Sequence, residues 1–343
     1  MAYFNTFAQG LEPLEMTHTD EFASLVASAH DLGLPVPEAV RYRSRNTVVN
    51  GLRFHLLEWG DPSAPAILLL HGGNQTAHSW DLVSLALCDR YHVIAIDQRG
   101  HGDSEWPRDG QADRHARADD ARQILAALGI ERPIVCGHSM GGIVAMTLLV
   151  AHPELAQQAV IVDVGPELGA EGAKYIGNFI SSVHEVASLE EFVDRVAAYD
   201  PFRTRAHIDR TARYNLMQRA DGKFVSKHDH RERLEWRSRQ ATAVELDDPA
   251  PPTASAERLA ARIDRPSYDD VATIPCPVLV VRGAQSNVLL PEMAERFVRT
   301  LPHGRLVEVP RCGHNVHSQN TAGFLAAVEP FLQEAGAGTS QPG

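Results

Sequence analysis

The sequence predicts an α/β fold: a mostly parallel sheet flanked by helices, with a helical cap inserted after one strand and before the next. Short apolar runs such as "AILLL" (66–70) alternate with helical patterns from residue 46 onward. These runs have no polar face, which is typical of strands covered by helices on both sides. The alternation breaks between 166 and 270. We therefore expect an N-terminal arm (1–45), a core (46–165 and 271–343) and a cap (166–270).

The arm predicts one helix. Thr19 is suited to cap it, and Gly33 followed by two prolines ends it. Its apolar residues recur every three or four positions: Phe22, Leu25, Val26, Ala29 and Leu32. We expect this stripe to dock on the main body; a dimer contact is the alternative.

The core begins with a hairpin. In "TVVNGLRFHLLEW" the Asn50-Gly51 pair is the turn signal. Further strands are predicted at 66–72, 91–97, 133–139, 158–165, 277–283 and 305–310. Helical patterns lie at 79–88, 113–128, 140–152, 291–301 and 317–333.

The cap is expected to be helical and to contain no strand. Ser188 and Glu191 have capping-box spacing, and a helical pattern over 206–220 precedes the turn "DGK" at 221–223. A Pro/Ala-rich loop follows at 247–256. The histidines of "HDH" (228–230) suggest a metal site, but a solvated cap surface is the preferred interpretation.

Bulk properties limit the function. The chain has 343 residues, 22% charged residues and a net charge of −12, which disfavours a nucleic-acid partner because phosphate binding needs clustered Lys and Arg. It offers no signal-peptide pattern and no apolar stretch of membrane-spanning length. Four scattered cysteines are expected to be buried free thiols. We expect a cytoplasmic protein with a small-molecule substrate, no cofactor, no metal and no membrane partner; a homo-oligomer stays open.

A nucleophile is predicted in "GHSMGG" (137–142). The motif fits G-x-S-x-G between an apolar strand and an apolar helix, with Ser139 on a tight turn that exposes its hydroxyl. Small residues at Gly137 and Gly141 let the strand and the helix approach closely. The start of the following helix favours negative charge at this place.

Two other loops are expected beside Ser139. "HGGN" (71–74) follows a strand, and the backbone N–H groups of Gly73 and Met140 are the predicted oxyanion donors. His71 is expected to brace that loop. In "DQRGHGDS" (97–104), Asp97 and Arg99 are likewise expected to be structural.

The predicted general base is His314, in "VPRCGHNVH" (309–317), just after a strand. His317 is the competitor, but it falls within a helical pattern and is expected to pack or to face solvent.

The order of these motifs resembles that of the α/β-hydrolase superfamily, from about residue 46 to 334. The resemblance implies the α/β-hydrolase fold and hydrolysis of an ester, lactone, amide or C–C bond. Serine at 139 differs from the haloalkane dehalogenases and epoxide hydrolases, which use aspartate there.

The triad acid departs from the usual pattern of that superfamily. Most members place it after the seventh strand, where this chain has Asn287. Asp163, in "IVDVGP" at the end of the sixth strand, resembles the acid of a minority that includes zearalenone lactonases. We favour Asp163; the alternatives are a structural turn at that place, with Asn287 at the usual acid position, or a substitute such as Glu292.

The preferred function is a cofactor-free serine hydrolase that cleaves an ester, lactone or amide through an acyl-enzyme. One alternative is a C–C bond hydrolase of a ring-fission product, for which Arg203, Arg205 and Arg210 could bind carboxylates, although a solvated helix face is preferred for them. The other is a low-turnover ligand receptor, favoured weakly by the neutral residue at 287.

Overall fold

The computed structural model describes residues 13–14, 20–229 and 263–337. The strands of its main sheet are β1 Pro13–Leu14, β2 Val40–Val49, β3 Leu52–Trp59, β4 Ala66–Leu70, β5 His92–Ile96, β6 Ile134–His138, β7 Gln158–Val162, β11 Val278–Gly283 and β12 Gly304–Val309. Within the described residues these nine strands lie in the order β1-β2-β3-β5-β4-β6-β7-β11-β12. From β5 to β12 the neighbours pair in parallel, and the pairs from β1 to β5 are antiparallel. This is the predicted mostly parallel sheet.

Helices connect the strands as the sequence predicts, except that the single helix expected over 317–333 is divided into two at Asn320. The core helices are α1 Asp20–Asp31, α2 Asp81–Leu87 preceded by a 3₁₀ helix at Ala77–Trp80, α3 Arg114–Ala127 and α4 Met140–Ala151. The cap range contains α5 Ala170–Ser182, α6 Leu189–Tyr199 and α7 Arg205–Asn215, and α8 Tyr268–Val271 lies at its end. The last are α9 Pro291–Thr300, α10 Val316–Gln319 and α11 Thr321–Ala337. No helix in the described ranges combines the length and the apolar character needed to cross a membrane.

The sheet separates two apolar clusters, because alternate side chains of each strand face opposite sides. Leu69 and Val93 join the cluster beneath α1, α2 and α11. Their neighbours Leu68 and Ile94 join the cluster beneath α3, α4 and α9. Each such side chain contributes about 1.5–3 kcal/mol when fully buried, so these strands are stabilised from both faces.

The N-terminal helix α1 docks on the core. Phe22, Leu25 and Ala29 are buried in the first cluster, and the Phe22 ring meets Tyr42 edge-on at 5.0 Å. Gly33 ends the helix region with φ +64°, as expected for a helix terminus. The predicted cap Thr19 lies outside the described residues.

The predicted hairpin is present, with Asn50 and Gly51 both at positive φ. Its first strand, β2, begins at Val40, five residues before the predicted end of the arm. The domain boundary at 45 therefore falls within a strand, because the arm's last residues pair with β3.

The expectation of a strand-free cap was wrong. Three short strands, β8 Glu185–Val186, β9 Leu216–Gln218 and β10 Phe224–Ser226, form a separate antiparallel sheet in the order β8-β10-β9. The predicted "DGK" turn joins β9 to β10, and Gly222 has φ +85°. These strands are too short to show a clear period of two, and Leu216–Gln218 continues the helical pattern of α7. A separate apolar cluster, which includes Val186, Phe192 and Ile208, lies between this sheet and α6 and α7.

Polar residues expected on the cap surface are partly buried. His228 and Asp229 pack against the loop after β5, where the Asp229 N–H donates to the Gly100 carbonyl at 2.7 Å. Arg210 is also buried, whereas Arg205 is exposed as expected. These side chains are buried because the cap contacts the core, and a local sequence pattern does not predict such a contact. His230 and the 247–256 loop lie outside the described residues.

All four cysteines are buried and unpaired. Burial raises the pKa of each thiol, to about 12 for Cys88 and about 11 for Cys276 and Cys312. These thiols are therefore protonated near neutral pH and behave as small apolar side chains.

Candidate active site

The predicted site residues meet at one edge of the sheet. Parallel strands end on the same side, so the loops after β4, β6, β7, β11 and β12 converge there. These loops carry Gly73, Ser139, Asp163, Asn287 and His314 respectively. The structure brings together four of these five residues; Asn287 is exposed and makes no hydrogen bond to His314 in the described part of the chain.

Ser139 sits on a strained turn between β6 and α4. Its φ of +51° and ψ of −117° are unusual for a residue with a side chain. A Cβ on Gly137 would come within 2.2 Å of the Gly141 carbonyl oxygen, and one on Gly141 within 2.2 Å of the Leu70 carbonyl oxygen. The two glycines therefore permit the close strand–helix approach that the motif predicts.

Two hydrogen bonds join Ser139, His314 and Asp163. His314 Nε2 lies 2.9 Å from Ser139 Oγ, and His314 Nδ1 lies 2.8 Å from Asp163 Oδ2. The Asp163 carboxylate is fully buried, so its charge acts on the imidazole with little screening by water. This geometry lets His314 accept the Ser139 proton while Asp163 stabilises the resulting imidazolium.

Asp163 is held by two neighbours for which the sequence offers no specific signal. Its Oδ1 accepts from the Gly283 N–H at 3.0 Å, and its Oδ2 accepts from Ser286 Oγ at 2.5 Å. Asp163 also has positive φ, +54°, which turns its side chain at the end of β7. Ser286, next to the expected acid position Asn287, thus holds a carboxylate that comes from the end of the adjacent strand.

The predicted oxyanion donors lie beside the serine. Gly73 and Met140 both line the cavity that contains Ser139. Neither backbone N–H donates a hydrogen bond to another described residue. Met140 opens α4, where the helix dipole adds to the attraction for a negative oxygen.

His138 and Gln75 connect the loop after β4, the end of β6 and the loop after β12. No sequence pattern singles out either residue. His138 Nε2 donates to the His314 carbonyl at 2.9 Å. Gln75 accepts from the Gly72 N–H at 2.9 Å and donates to Asn315 Oδ1 at 3.1 Å. Burial, and then the nearby His314 and His317, lower the pKa of His138 well below its usual value. A neutral His138 therefore holds the backbone of His314.

The residues expected to be structural do brace loops. His71 Nε2 accepts from the Gln98 N–H at 3.0 Å. Asp97 accepts from the Ala77 N–H and from the Asp103 N–H, and Arg99 forms an ion pair with Asp120. Together these contacts fix the loops after β4 and β5.

His317 does not compete for the role of base. Its ring stacks on Trp80 with a centroid separation of 3.9 Å and is almost fully buried. Burial, and then the charge of Arg203, lower its pKa to about 3. The ring is therefore neutral and packed.

One group could hold a metal ion among the residues that the structure describes: His55, Asp97 and Asp103. His55 Nδ1 already lies 2.8 Å from Asp97 Oδ2, and Asp103 pairs with Lys227 at 2.6 Å. These contacts attach the β5 loop to β3 and to the cap. The group is remote in the sequence from the Ser139 loop and is explained by bracing.

A cavity of about 930 Å³ opens above Ser139. Its apolar wall comes from the core and from the inner faces of α5 and α6: Val164, Leu168, Ile176, Phe179 and Val196. A volume of this size suits a small or medium organic molecule. Arg203 also lines the cavity, where its Nε lies 2.7 Å from Asp200.

The cap helix α7 is attached to the core by a buried ion pair. Arg210 lies 2.8 Å from Asp81 Oδ2, and both side chains are 5% exposed. His78 contacts the same carboxylate and stacks on Tyr214 with a centroid separation of 3.5 Å. Burial raises the pKa of Asp81, but His78 and Arg210 together outweigh burial and hold the pKa below its usual value.

Ser139, His314 and Asp163 meet at the carboxyl edge of a mostly parallel sheet, and Ser139 lies on a strained turn between a strand and a helix. This combination is characteristic of the α/β-hydrolase fold. A sequence profile of the alpha/beta hydrolase family matches residues 67–327, so the chain belongs to that family.

Individual relatives are also hydrolases by name. The chain is 28% identical over 328 residues to esterase Rv0045c of Mycobacterium tuberculosis, covering 93% of this chain and 97% of the relative. It is 30% identical over 266 residues to a 3-hydroxybutyrate-oligomer hydrolase of Cupriavidus necator, covering 75% and 85%. The crystal structure of the M. tuberculosis esterase superposes with a TM-score of 0.66 at 26% identity, covering 92% of this chain and 99% of that chain.

Proposed function

We propose that the protein is a serine hydrolase that cleaves a carboxylic ester of a small organic molecule through an acyl-enzyme, without a cofactor. The observation that carries this proposal is the unbroken contact from Ser139 Oγ through His314 to the buried Asp163. The similarity to esterases over nearly the whole chain favours an ester over a lactone or an amide.

The reaction would run in two halves. Ser139 Oγ attacks the carbonyl carbon while His314 Nε2 takes its proton, and the N–H groups of Gly73 and Met140 hold the oxyanion. Collapse releases the alcohol, which takes the proton from His314, and leaves an acyl-serine. Water, deprotonated by His314, then attacks the acyl carbon. Collapse breaks the bond to Ser139 Oγ, which takes the proton back from His314, and releases the carboxylic acid.

The observations that favoured the two alternatives, a C–C bond hydrolase and a low-turnover ligand receptor, have another explanation in the structure. Carboxylate binding by arginines would favour a C–C bond hydrolase, but Arg203 and Arg210 are each paired with a buried aspartate. A neutral residue at the acid position favoured a receptor, but Asp163 supplies the charge from the neighbouring strand. The pairing of these arginines favours an uncharged ester as the substrate. The charge of Asp163 beside His314 favours an enzyme with turnover over a receptor.

The test is replacement of Ser139. We expect Ser139→Ala to lower kcat for any active ester by about 10⁵-fold or more, because loss of the serine nucleophile costs about 2 × 10⁶ in kcat in subtilisin. A fluorophosphonate should label the wild type at Ser139 only, as peptide mass mapping can establish. Thermal unfolding provides the control for folding. Labelling elsewhere, or retained activity in the variant, would contradict the proposed nucleophile.

A further inference from the structure

The cavity has a polar part in addition to its apolar wall. Helix α7 packs against the 3₁₀ helix Ala77–Trp80, and both contribute to the lining. The polar side chains found there are Ser79, His207, Thr211, Asn215 and Ser318. Asn315, which directly follows the base His314, also lines the cavity, so this polar part lies beside the reacting groups.

Two polar side chains in this part have unmet hydrogen-bonding capacity. His207 is only 5% exposed, and neither of its ring nitrogens makes a hydrogen bond with a described residue. Ser79 Oγ is buried and equally makes no hydrogen bond within the described ranges. Buried polar groups are normally paired, so such groups on a cavity wall point to a ligand as their partner.

The charge state of this region selects the kind of ligand. Burial, and then the charges of Arg203 and Arg210, lower the pKa of His207 well below its usual value, so the ring is neutral. Arg203 is neutralised by Asp200, which is fully buried and also accepts from Gln319 at 2.9 Å. A neutral imidazole offers one donor and one acceptor, which matches a hydroxyl group rather than a carboxylate.

We propose that His207 and Ser79 form a subsite for a hydroxyl group of the ester substrate, while the apolar wall takes its hydrocarbon chain. The inference rests on the proposed ester hydrolysis and adds the substrate class: an uncharged hydroxy-ester. The hydroxyl can belong to the acyl part or to the alcohol part, and the two sources are separated by the choice of substrates.

The experiment compares matched esters by kcat/KM. Ethyl 3-hydroxybutyrate against ethyl butyrate tests a hydroxyl on the acyl part, and glycerol monobutyrate against propyl butyrate tests hydroxyls on the alcohol part. We expect the wild type to prefer the hydroxylated ester in one pair by about tenfold, the factor that one net hydrogen bond supplies. The wild-type-to-variant ratio removes differences in intrinsic reactivity.

Three variants complete the design. His207→Phe should abolish the preference, and Ser79→Ala, which removes only an unpaired hydroxyl, should reduce it severalfold. Arg205→Gln, on the exposed face of the same helix, is the matched control and should retain it. If His207→Phe does not fold, Ser79→Ala carries the test.

The results that would overturn the subsite differ from those that would overturn the proposed ester hydrolysis. Absence of a hydroxyl preference in both pairs, its survival in His207→Phe and Ser79→Ala, or a stronger preference for a succinate monoester would overturn the subsite while leaving ester hydrolysis intact. Failure of the wild type to cleave any of these esters would overturn the proposed function itself.

Discussion

The sheet edge that holds Ser139 and the cap helices that cover it are positioned by different means. At the edge, backbone geometry fixes Ser139 and Asp163: both have positive φ, and a Cβ added to Gly137 or Gly141 would come within 2.2 Å of a backbone oxygen. The cap has a small apolar cluster and a three-stranded sheet that is separate from the main one. A misplaced reacting atom costs far more than a reshaped wall. We therefore expect the chemistry to depend on the edge and substrate choice to depend on the cap.

The largest effect within this comparison concerns the acid. Asp163→Asn should lower kcat by about 10³- to 10⁴-fold, because a neutral amide cannot stabilise the imidazolium of His314. Asparagine can still accept from the Gly283 N–H, so the fold should persist. Turnover of an active ester and thermal unfolding are the measurements.

Asn287→Ala is the matched control for that variant. Asn287 is exposed and makes no hydrogen bond to His314 among the described residues, so its loss should change kcat less than about threefold, within the range of surface substitutions. Equal damage from the two substitutions, or a harmless Asp163→Asn, would refute the assignment of the acid to β7.

The next effect concerns the buried Arg210–Asp81 ion pair that attaches the cap to the core. Asp81→Asn leaves Arg210 buried without its carboxylate and should lower the free energy of unfolding by about 3 kcal/mol. The folded-state pKa of Asp81 is depressed, so its contribution is present above about pH 4 and is lost as pH falls through the folded pKa. The stability difference between wild type and variant should therefore shrink below about pH 4 in urea unfolding.

Asp209→Asn is the control for this ion pair, since Asp209 is exposed on the same helix. Its effect on the free energy of unfolding should stay within about 0.5 kcal/mol at every pH. A wild-type-minus-Asp81→Asn difference that is independent of pH would show that the carboxylate charge does not hold the cap.

The smallest effect concerns the cap wall. Phe179 lines the cavity and stacks on Tyr199 with a centroid separation of 3.7 Å. Phe179→Ala should shift the kcat/KM ratio of octanoate to butyrate esters about tenfold toward the longer chain, since each buried CH₂ contributes about 0.8 kcal/mol. Asn178→Ala, exposed one residue away, should leave the ratio unchanged. An equal loss of kcat/KM for esters of every chain length would show that Phe179 affects the reaction itself and not the choice of substrate.

Much of the fold and part of the site follow from the amino-acid sequence alone. The alternation of apolar runs and helical patterns predicts the parallel sheet, because a strand buried on both faces needs an unbroken apolar run. "GHSMGG" predicts the strained turn at Ser139, since its glycines are required by contacts within the turn and with the neighbouring strand end. These patterns lie within short segments, and the elements that depend on them are where the sequence predicts them.

The tertiary structure alone decided which carboxylate reaches His314 and what the cap buries. The Asp163–His314 contact joins residues 151 positions apart. It exists because β7, which precedes Asp163, and β12, which precedes His314, pair with opposite sides of β11. No local pattern distinguishes Asp163 from a structural turn, or Arg210 and Asp229 from solvated surface. Their burial and their partners come from elements brought together by folding, so the sequence supplies the candidates and the packing selects among them.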